Sequence, residues 1–196
     1  MRQRQLPLSC FRIYNTSLME PVLQAKLPQV IVIAGAPGTG KSTLARVLQE
    51  RTQTPLFEFG WIPEFRHIPN GYISYEEEEQ ISFENLVLVT RNYLRHGFRG
   101  VILTDLNNRY VAEIGAVFSG LDYRIVTLVL QDEAVLAQRV LDPSRTSAYR
   151  DVEAALAINR SILSRPCYPY ERRVDVTGKD VAAVLTEILE ALTAEG

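Results

Sequence analysis

One stretch decides the fold: Val30-Ile31-Val32-Ile33-Ala34-Gly35-Ala36-Pro37-Gly38-Thr39-Gly40-Lys41-Ser42-Thr43. Its first five residues form an apolar run, which predicts a buried strand. The pattern G-x-x-x-x-G-K-[ST] follows at once, and its glycines let the backbone curl tightly. The next residues, Leu44 to Glu50, favour a helix. The stretch therefore predicts a strand, a tight glycine-rich loop and a helix in direct succession.

A loop of this kind has a definite chemistry. Its backbone N–H groups point inward and form a nest for phosphate oxygens, and the helix that follows adds the positive end of its dipole. We expect Lys41 to face solvent and reach the β- and γ-phosphates, and the Ser42 hydroxyl to ligate Mg²⁺. The prediction is a P-loop that binds a nucleoside triphosphate through Gly35, Ala36, Pro37, Gly38, Thr39, Gly40, Lys41, Ser42 and Thr43.

The composition is that of an ordinary globular protein. The chain has 196 residues, of which 46% are hydrophobic and 22% charged, with a net charge of −2. This charge does not suggest broad nucleic-acid binding, which usually shows an excess of Lys and Arg. Cys10 and Cys167 are too few for a disulfide framework, so we expect a cytoplasmic protein. No apolar run is long enough to predict a membrane span.

The first 28 residues differ from the rest. They carry four basic residues against Glu20 alone, and they lack the apolar core of a secretory signal. We interpret 1–28 as an N-terminal extension without a required ordered structure, and 29–196 as the domain. An over-extended start with Met19 as the true first residue, an extra packing element and a mitochondrial address remain alternatives.

Short apolar runs alternate with helical patterns along the domain. This alternation predicts an α/β fold of three layers, with a five-stranded parallel sheet and helices on both faces. We interpret 60–74 as a loop or broken helix, and the acidic run Glu76 to Glu79 as a solvated helix start. The strands are predicted at 30–34, 55–59, 101–104, 124–130 and 173–176, and the helices at 41–51, 75–96, 109–118, 132–141, 150–164 and 179–194.

Polar residues at the carboxyl ends of the strands are the candidate site residues, because ligands of open parallel sheets bind there. Asp105 follows the apolar run Val101 to Thr104 and would hold Mg²⁺ beside Ser42. An ordinary helix cap or turn is the alternative, which Asn107 and its neighbour favour.

Glu58, at the end of the second strand, is the candidate for the base that accepts the proton of an acceptor hydroxyl. Glu64 is the second candidate, and either carboxylate could simply face solvent. Trp61 and Phe65 could stack on a substrate ring, and Arg66 could pair with an anionic group, or all three could belong to the hydrophobic cover of this loop.

Three arginines surround the segment after the fourth strand. Arginines that close over a phosphoryl group stabilise the charge on its oxygens and exclude water. We therefore predict a lid near 142–165, in which Arg145 and Arg150 act in catalysis, and we expect at least one of Arg139, Arg145 and Arg150 to contact phosphate. Solvated helix faces with local ion pairs are the alternative.

The chain resembles the small P-loop kinases of the nucleoside- and nucleotide-kinase-like group, over about Gln29 to Leu192. The group includes shikimate- and gluconate-kinase-like and chloramphenicol-phosphotransferase-like proteins. The resemblance implies a strand order of 2-3-1-4-5, Arg139 near the nucleotide, and Gly178 and Lys179 near the adenine. Many members carry an aspartate just after the second strand. This chain has none there, so the acceptor and its base stay open.

Together these features predict an ATP- and Mg²⁺-dependent phosphotransferase that acts on a small-molecule acceptor. Two other functions stay open: a nucleotide-dependent switch without such an acceptor, and a nucleic-acid end kinase. The chain shows no concentrated basic run, which disfavours the latter. The acceptor and the oligomeric state do not follow from the sequence.

Overall fold

The computed structural model describes residues 27–61, 65–145 and 147–194. Nearly all of the predicted N-terminal extension, 1–28, lies outside these ranges, and so does Glu64, the second candidate base. Within them, no helix combines the length and the apolar character that a membrane crossing requires.

The helices and strands alternate along the chain much as predicted. A short 3-10 helix occupies Phe59–Trp61. The strands are β1 (Val30–Gly35), β2 (Leu56–Glu58), β3 (His67–Ile68), β4 (Gly71–Tyr72), β5 (Val101–Thr104), β6 (Tyr123–Val129) and β7 (Glu171–Asp175). The α-helices are α1 (Lys41–Thr52), α2 (Tyr75–Arg95), α3 (Asn108–Val117), α4 (Glu133–Leu141), α5 (Val152–Ser164) and α6 (Val181–Thr193).

Five strands form one parallel sheet in the order β2-β5-β1-β6-β7. These labels differ from the predicted 2-3-1-4-5 because β3 and β4 interrupt the count. Those two strands pair with each other as a separate antiparallel hairpin. Counted alone, the five sheet strands run second, third, first, fourth and fifth. The hairpin replaces the loop or broken helix expected over 60–74.

Strand β1 separates two hydrophobic cores, because its side chains alternate between the two faces of the sheet. Ile31 and Ile33 point to the side where α1, α4, α5 and α6 pack, whereas Val30 and Val32 point to the side of α2 and α3. All four side chains are fully buried. Helices on both faces of a parallel sheet are therefore confirmed, and they leave the carboxyl ends of the strands free to form a site.

Helix α2 begins with a capping box, in which the Ser74 side chain accepts from the Glu77 N–H and the Glu77 carboxylate accepts from the Ser74 N–H. The acidic start predicted at Glu76 to Glu79 is thus real, but it is not wholly solvated. Glu78 is only 3% exposed. The expectation was wrong for this residue because the hairpin region contributes Arg66, which covers it.

Candidate functional site

The loop between β1 and α1 has the curled backbone that the sequence predicts. Gly38 and Gly40 have φ angles of +91° and +95°, which favour glycine. A Cβ at Gly38 would lie 2.9 Å from Val140 Cγ2 and 3.0 Å from Leu136 Cδ1. The loop therefore packs directly against α4, and both its curvature and this close approach require glycine.

The N-terminus of α1 faces this loop without a side-chain cap. Its N-cap residue is Gly40, which offers no side-chain oxygen. Side-chain oxygens cap four other helices of the described part, from Ser74, Asp132, Asp151 and Asp180. The first N–H groups of a helix need an acceptor from elsewhere. In α1 that acceptor would be an anion, and a phosphate suits the helix dipole.

Lys41 is far more buried than the sequence analysis expected. It is 9% exposed, and its Nζ donates to Ala36 O at 3.3 Å and lies 3.8 Å from Asp105 Oδ1. Burial lowers the pKa of the Lys41 ammonium below its ordinary value, and the Asp105 carboxylate opposes this shift. The expectation of a solvent-facing lysine was wrong because the loop curls back over the side chain. The Lys41 ammonium nonetheless stays beside the loop that the sequence predicts to bind phosphate.

Asp105 immediately follows β5 in a strained conformation. Its φ is +66°, an angle that aspartate adopts more readily than most residues but still at a cost of about 1–2 kcal/mol. Its side chain is 52% exposed, and burial of the remainder raises the pKa of the carboxyl above its ordinary value, while Lys41 opposes the rise. Strain of this kind accumulates at functional sites, so Asp105 is a candidate for direct chemistry.

Glu58 lies on the P-loop side of the cleft. Its Oε2 accepts a 3.4 Å hydrogen bond from Ser42 Oγ, and its Oε1 lies 3.2 Å from Arg46 Nη2. Its side chain is only 12% exposed. The carboxylate thus adjoins the hydroxyl that is predicted to ligate Mg²⁺.

A cleft of about 750 Å³ connects these groups. It is bounded by the P-loop, the end of β2, Asp105 and the segment after α4. Hydroxyl and carboxylate oxygens are hard ligands of the kind Mg²⁺ prefers, so Ser42, Glu58 and Asp105 fit this ion chemically. No group of three or more His, Cys, Asp or Glu side chains suited to a metal occurs in the described ranges. A Mg²⁺ ion here would need oxygens from the nucleotide as well, which is usual for this ion.

The cleft includes two of the three predicted arginines. Arg139 and Arg145 line it, and Arg145 is fixed by bonds from Nη1 to Val140 O at 2.9 Å and to Tyr149 O at 3.4 Å. Arg150 is exposed, does not line the cleft, and donates to Ser147 O at 2.5 Å and Tyr149 O at 2.8 Å. It therefore braces the loop that carries Arg145.

The predicted adenine-side residues are not part of the cleft. Neither Gly178 nor Lys179 lines it. Lys179 Nζ pairs with Glu187 Oε1 at 2.6 Å, and Thr177 Oγ1 accepts from Gln131 N–H at 2.9 Å. The first contact ties the turn after β7 to α6, and the second holds that turn against the segment that follows β6.

A second cavity of about 240 Å³ adjoins the cleft. The two share Gly60 and Asp105. The rest of the second cavity comes from Phe59 and helix α2, with Asn107 on the far side. Asp105 thus lies where a ligand in the second cavity would meet a ligand in the cleft.

Sequence reasoning missed Glu78, which lines this second cavity. Its position carried a signal, since Glu78, Ser82, Leu86 and Thr90 recur every four residues and are all buried. A carboxylate on the same helical stripe as core residues is expected to be buried too. The run of glutamates around it concealed that periodicity.

No protein-family model and no curated protein sequence matches the chain. Several solved structures do match its fold. A gluconokinase from Sinorhizobium meliloti 1021 is 20% identical, with a TM-score of 0.60 over 85% of this chain and 93% of that one. A sugar kinase from Janibacter sp. HTCC2649 is 15% identical, with a TM-score of 0.59 over 84% and 94%. Thymidylate kinase from Candida albicans is 17% identical, with a TM-score of 0.53 over 84% and 90%. The resemblance to small P-loop kinases is thereby confirmed at the level of the fold.

Proposed function

We propose that this protein is an ATP-dependent phosphotransferase that acts on a small-molecule acceptor. One observation carries the proposal: the cleft beside the P-loop and a second, smaller cavity share Asp105 and Gly60. A kinase needs such a junction, because the acceptor oxygen must approach the terminal phosphorus of the nucleotide. A nucleotide-dependent switch has no need of the second cavity.

On the nucleotide side, the P-loop N–H groups, the α1 N-terminus and Lys41 hold the triphosphate. Arg139 and Arg145, which also line the cleft, contribute positive charge. Ser42 and Glu58 are the residues that would hold Mg²⁺, which screens the charge of the phosphate oxygens when it is bound. Arg150 keeps the Arg145 loop in place through its two carbonyl contacts.

On the acceptor side, we assign to Asp105 the role of the base that accepts the proton of the acceptor hydroxyl. The acceptor hydroxyl oxygen forms a bond to the γ-phosphorus, the bond from that phosphorus to the bridging oxygen of ADP breaks, and the hydroxyl proton passes to the Asp105 carboxylate. A raised pKa suits a general base, and Asp105 alone of the two carboxylates lines both cavities. This assignment exchanges the roles that the sequence suggested for Glu58 and Asp105.

ADP release tests the proposal. The purified protein is expected to hydrolyse ATP slowly alone, and to release ADP at least tenfold faster with a matching acceptor from a panel of hydroxylated metabolites, nucleosides and antibiotics. Asp105→Asn should abolish this stimulation. Glu58→Gln should instead raise the Mg²⁺ concentration required. If Glu58→Gln removes only the stimulation and Asp105→Asn raises the Mg²⁺ requirement, the roles are those inferred from the sequence.

The same panel separates the other functions. It includes a 5′-hydroxyl oligonucleotide, whose stimulation would indicate a nucleic-acid end kinase. The carboxylates around the second cavity oppose such a polyanion. ATP binding with no stimulation by any compound would favour a switch. We further propose a cytoplasmic location, which the free, exposed thiol of Cys167 supports.

A further inference from the structure

Within the proposed function, on which this inference rests, the second cavity specifies its occupant. Glu78 has 4% of its side chain exposed, yet neither carboxylate oxygen receives a hydrogen bond within the described ranges. Among the described residues its charged partner is Arg66, whose Nε lies 3.2 Å from Oε2, and no ion pair of Oε1 occurs in that part of the chain. A buried oxygen that receives no hydrogen bond costs folding free energy, and a ligand that donates a hydrogen bond to it removes that cost.

The neighbouring carboxylate of the cavity is already engaged. Glu79 accepts from Asn107 Nδ2 at 3.1 Å and lies 3.3 Å from Arg109 Nη2. Asp105 is half-exposed and lies 3.8 Å from the Lys41 ammonium. Glu78 is therefore the buried lining carboxylate with unused accepting capacity.

The charges are arranged with the carboxylates toward the cavity and their cations outside it. Glu78, Glu79 and Asp105 line the space, whereas Lys41, Arg66 and Arg109 do not. A bound anion would face three carboxylates, which repel it. A hydroxyl or an ammonium would instead find acceptors.

We propose that the acceptor is a compact neutral or cationic molecule, a polyol or an amino alcohol, whose hydroxyl or ammonium donates to Glu78 while the reacting hydroxyl faces Asp105. The volume of about 240 Å³ suits a molecule smaller than a typical drug. Phe59 supplies an apolar wall for its carbon skeleton. Carboxylated and phosphorylated acceptors are excluded by the same surface.

Matched compounds test the charge preference directly. Glucitol, glucamine and gluconate share one skeleton and carry a neutral, a cationic and an anionic end, and tyrosol, tyramine and 4-hydroxyphenylacetate form an aromatic set. Binding is read from the fluorescence of Trp61, the only tryptophan of the chain, which lines the adjoining cleft. In the presence of ADP and Mg²⁺, neutral or cationic members are expected to bind at least tenfold more tightly than the anionic one.

Two variants test which residues set the charge preference of the second cavity. Glu78→Gln should reduce the ratio of cationic to neutral binding at least fivefold. Arg66→Met should raise that ratio, because it leaves the Glu78 charge uncompensated; Arg66 is half-exposed, so this variant should fold even if the first does not. Glu84→Gln, an exposed change on the same helix, is the matched control.

Tightest binding by an anionic member of either set overturns the proposal. So does a ratio of cationic to neutral binding that neither variant changes, or the absence of a fluorescence response to every neutral and cationic compound. Binding of ADP and Mg²⁺, measured by the same fluorescence, distinguishes a failure of the proposed acceptor class from a failure of the proposed function. Nucleotide binding without the expected preference rejects only the acceptor class. Absent nucleotide binding rejects the phosphotransferase itself.

Discussion

Lys41 Nζ lies 3.8 Å from Asp105 Oδ1, so an ammonium–carboxylate contact joins the loop after β1 to the end of the neighbouring strand β5. The two groups differ in burial, since the lysine side chain is 10% exposed and the aspartate side chain 52%. Burial disfavours the charged form of the lysine, and the Asp105 and Glu58 carboxylates compensate only in part. The buried ammonium therefore costs folding free energy, which a bound phosphate would offset.

Lys41→Met is expected to raise the melting temperature of the nucleotide-free protein at neutral pH while it abolishes ATP binding. The lowered pKa means that the folded state disfavours the ammonium, so removing the charge relieves that penalty. The difference should shrink as the pH rises toward the ordinary lysine pKa of 10.5, where the unfolded chain also loses its proton. Calorimetry at several pH values measures it. A lower melting temperature at every pH would show that the ammonium stabilises the fold.

The acceptor-dependent reaction should lose activity on acidification at a pH above the ordinary aspartate pKa of 3.8. A general base must be ionised, and burial raises the pKa of Asp105, so the acid limb of kcat/KM moves upward with it. Steady-state rates between pH 4 and 9 record the limb. Asp105→Asn should leave only a weak residual activity without that limb. An identical limb in the variant would assign the titration to another group.

Arg145→Met should slow both background hydrolysis and acceptor-stimulated turnover, each by about 10²–10³-fold. The guanidinium lines the cleft, and in the proposed function it acts on the phosphoryl group whether water or an acceptor attacks. Arg172→Met is the matched control, because Arg172 is exposed on β7 away from the cleft. Loss of stimulated turnover alone would place Arg145 on the acceptor instead.

Asn159→Leu is expected to cost about 2–4 kcal/mol of unfolding free energy. Asn159 is 1% exposed, and its amide donates to Leu130 O at 2.8 Å and accepts from Leu130 N–H at 3.3 Å. Leucine would leave both backbone groups buried without partners. Urea unfolding gives the value, with exposed Asn92→Leu as the control. A loss below about 1 kcal/mol would mean that water or the backbone replaces the amide.

The sheet and the P-loop could be predicted because their signals are local. The apolar run of β1 and the glycines after it specify strand and loop without help from distant residues. The β3–β4 hairpin could not be predicted, because its strands have two residues each and are too short to show the alternation of apolar and polar residues that marks a strand. Its turn residues Pro69 and Asn70 indicated only a loop.

The positions of long polar side chains depend on distant neighbours. Glu78 is buried because Arg66, which precedes the hairpin, reaches it, and a one-dimensional pattern of glutamates does not show that. Arg145 and Arg150 stand five residues apart in one loop, yet the first faces the cleft and the second faces carbonyl oxygens beside it. The sequence indicates that arginines gather here, but the loop conformation decides which of them reaches the cleft.

The walls of the second cavity come largely from one continuous stretch of chain, from Phe59 to Ser82, whereas the P-loop and the Arg145 segment lie outside it. Under the proposed function, most residues that contact the acceptor would lie in this stretch, whereas the P-loop and the Arg145 segment would bind the nucleotide. Exchange of the stretch between proteins of this fold would then be a route by which new acceptor specificities could evolve or be engineered.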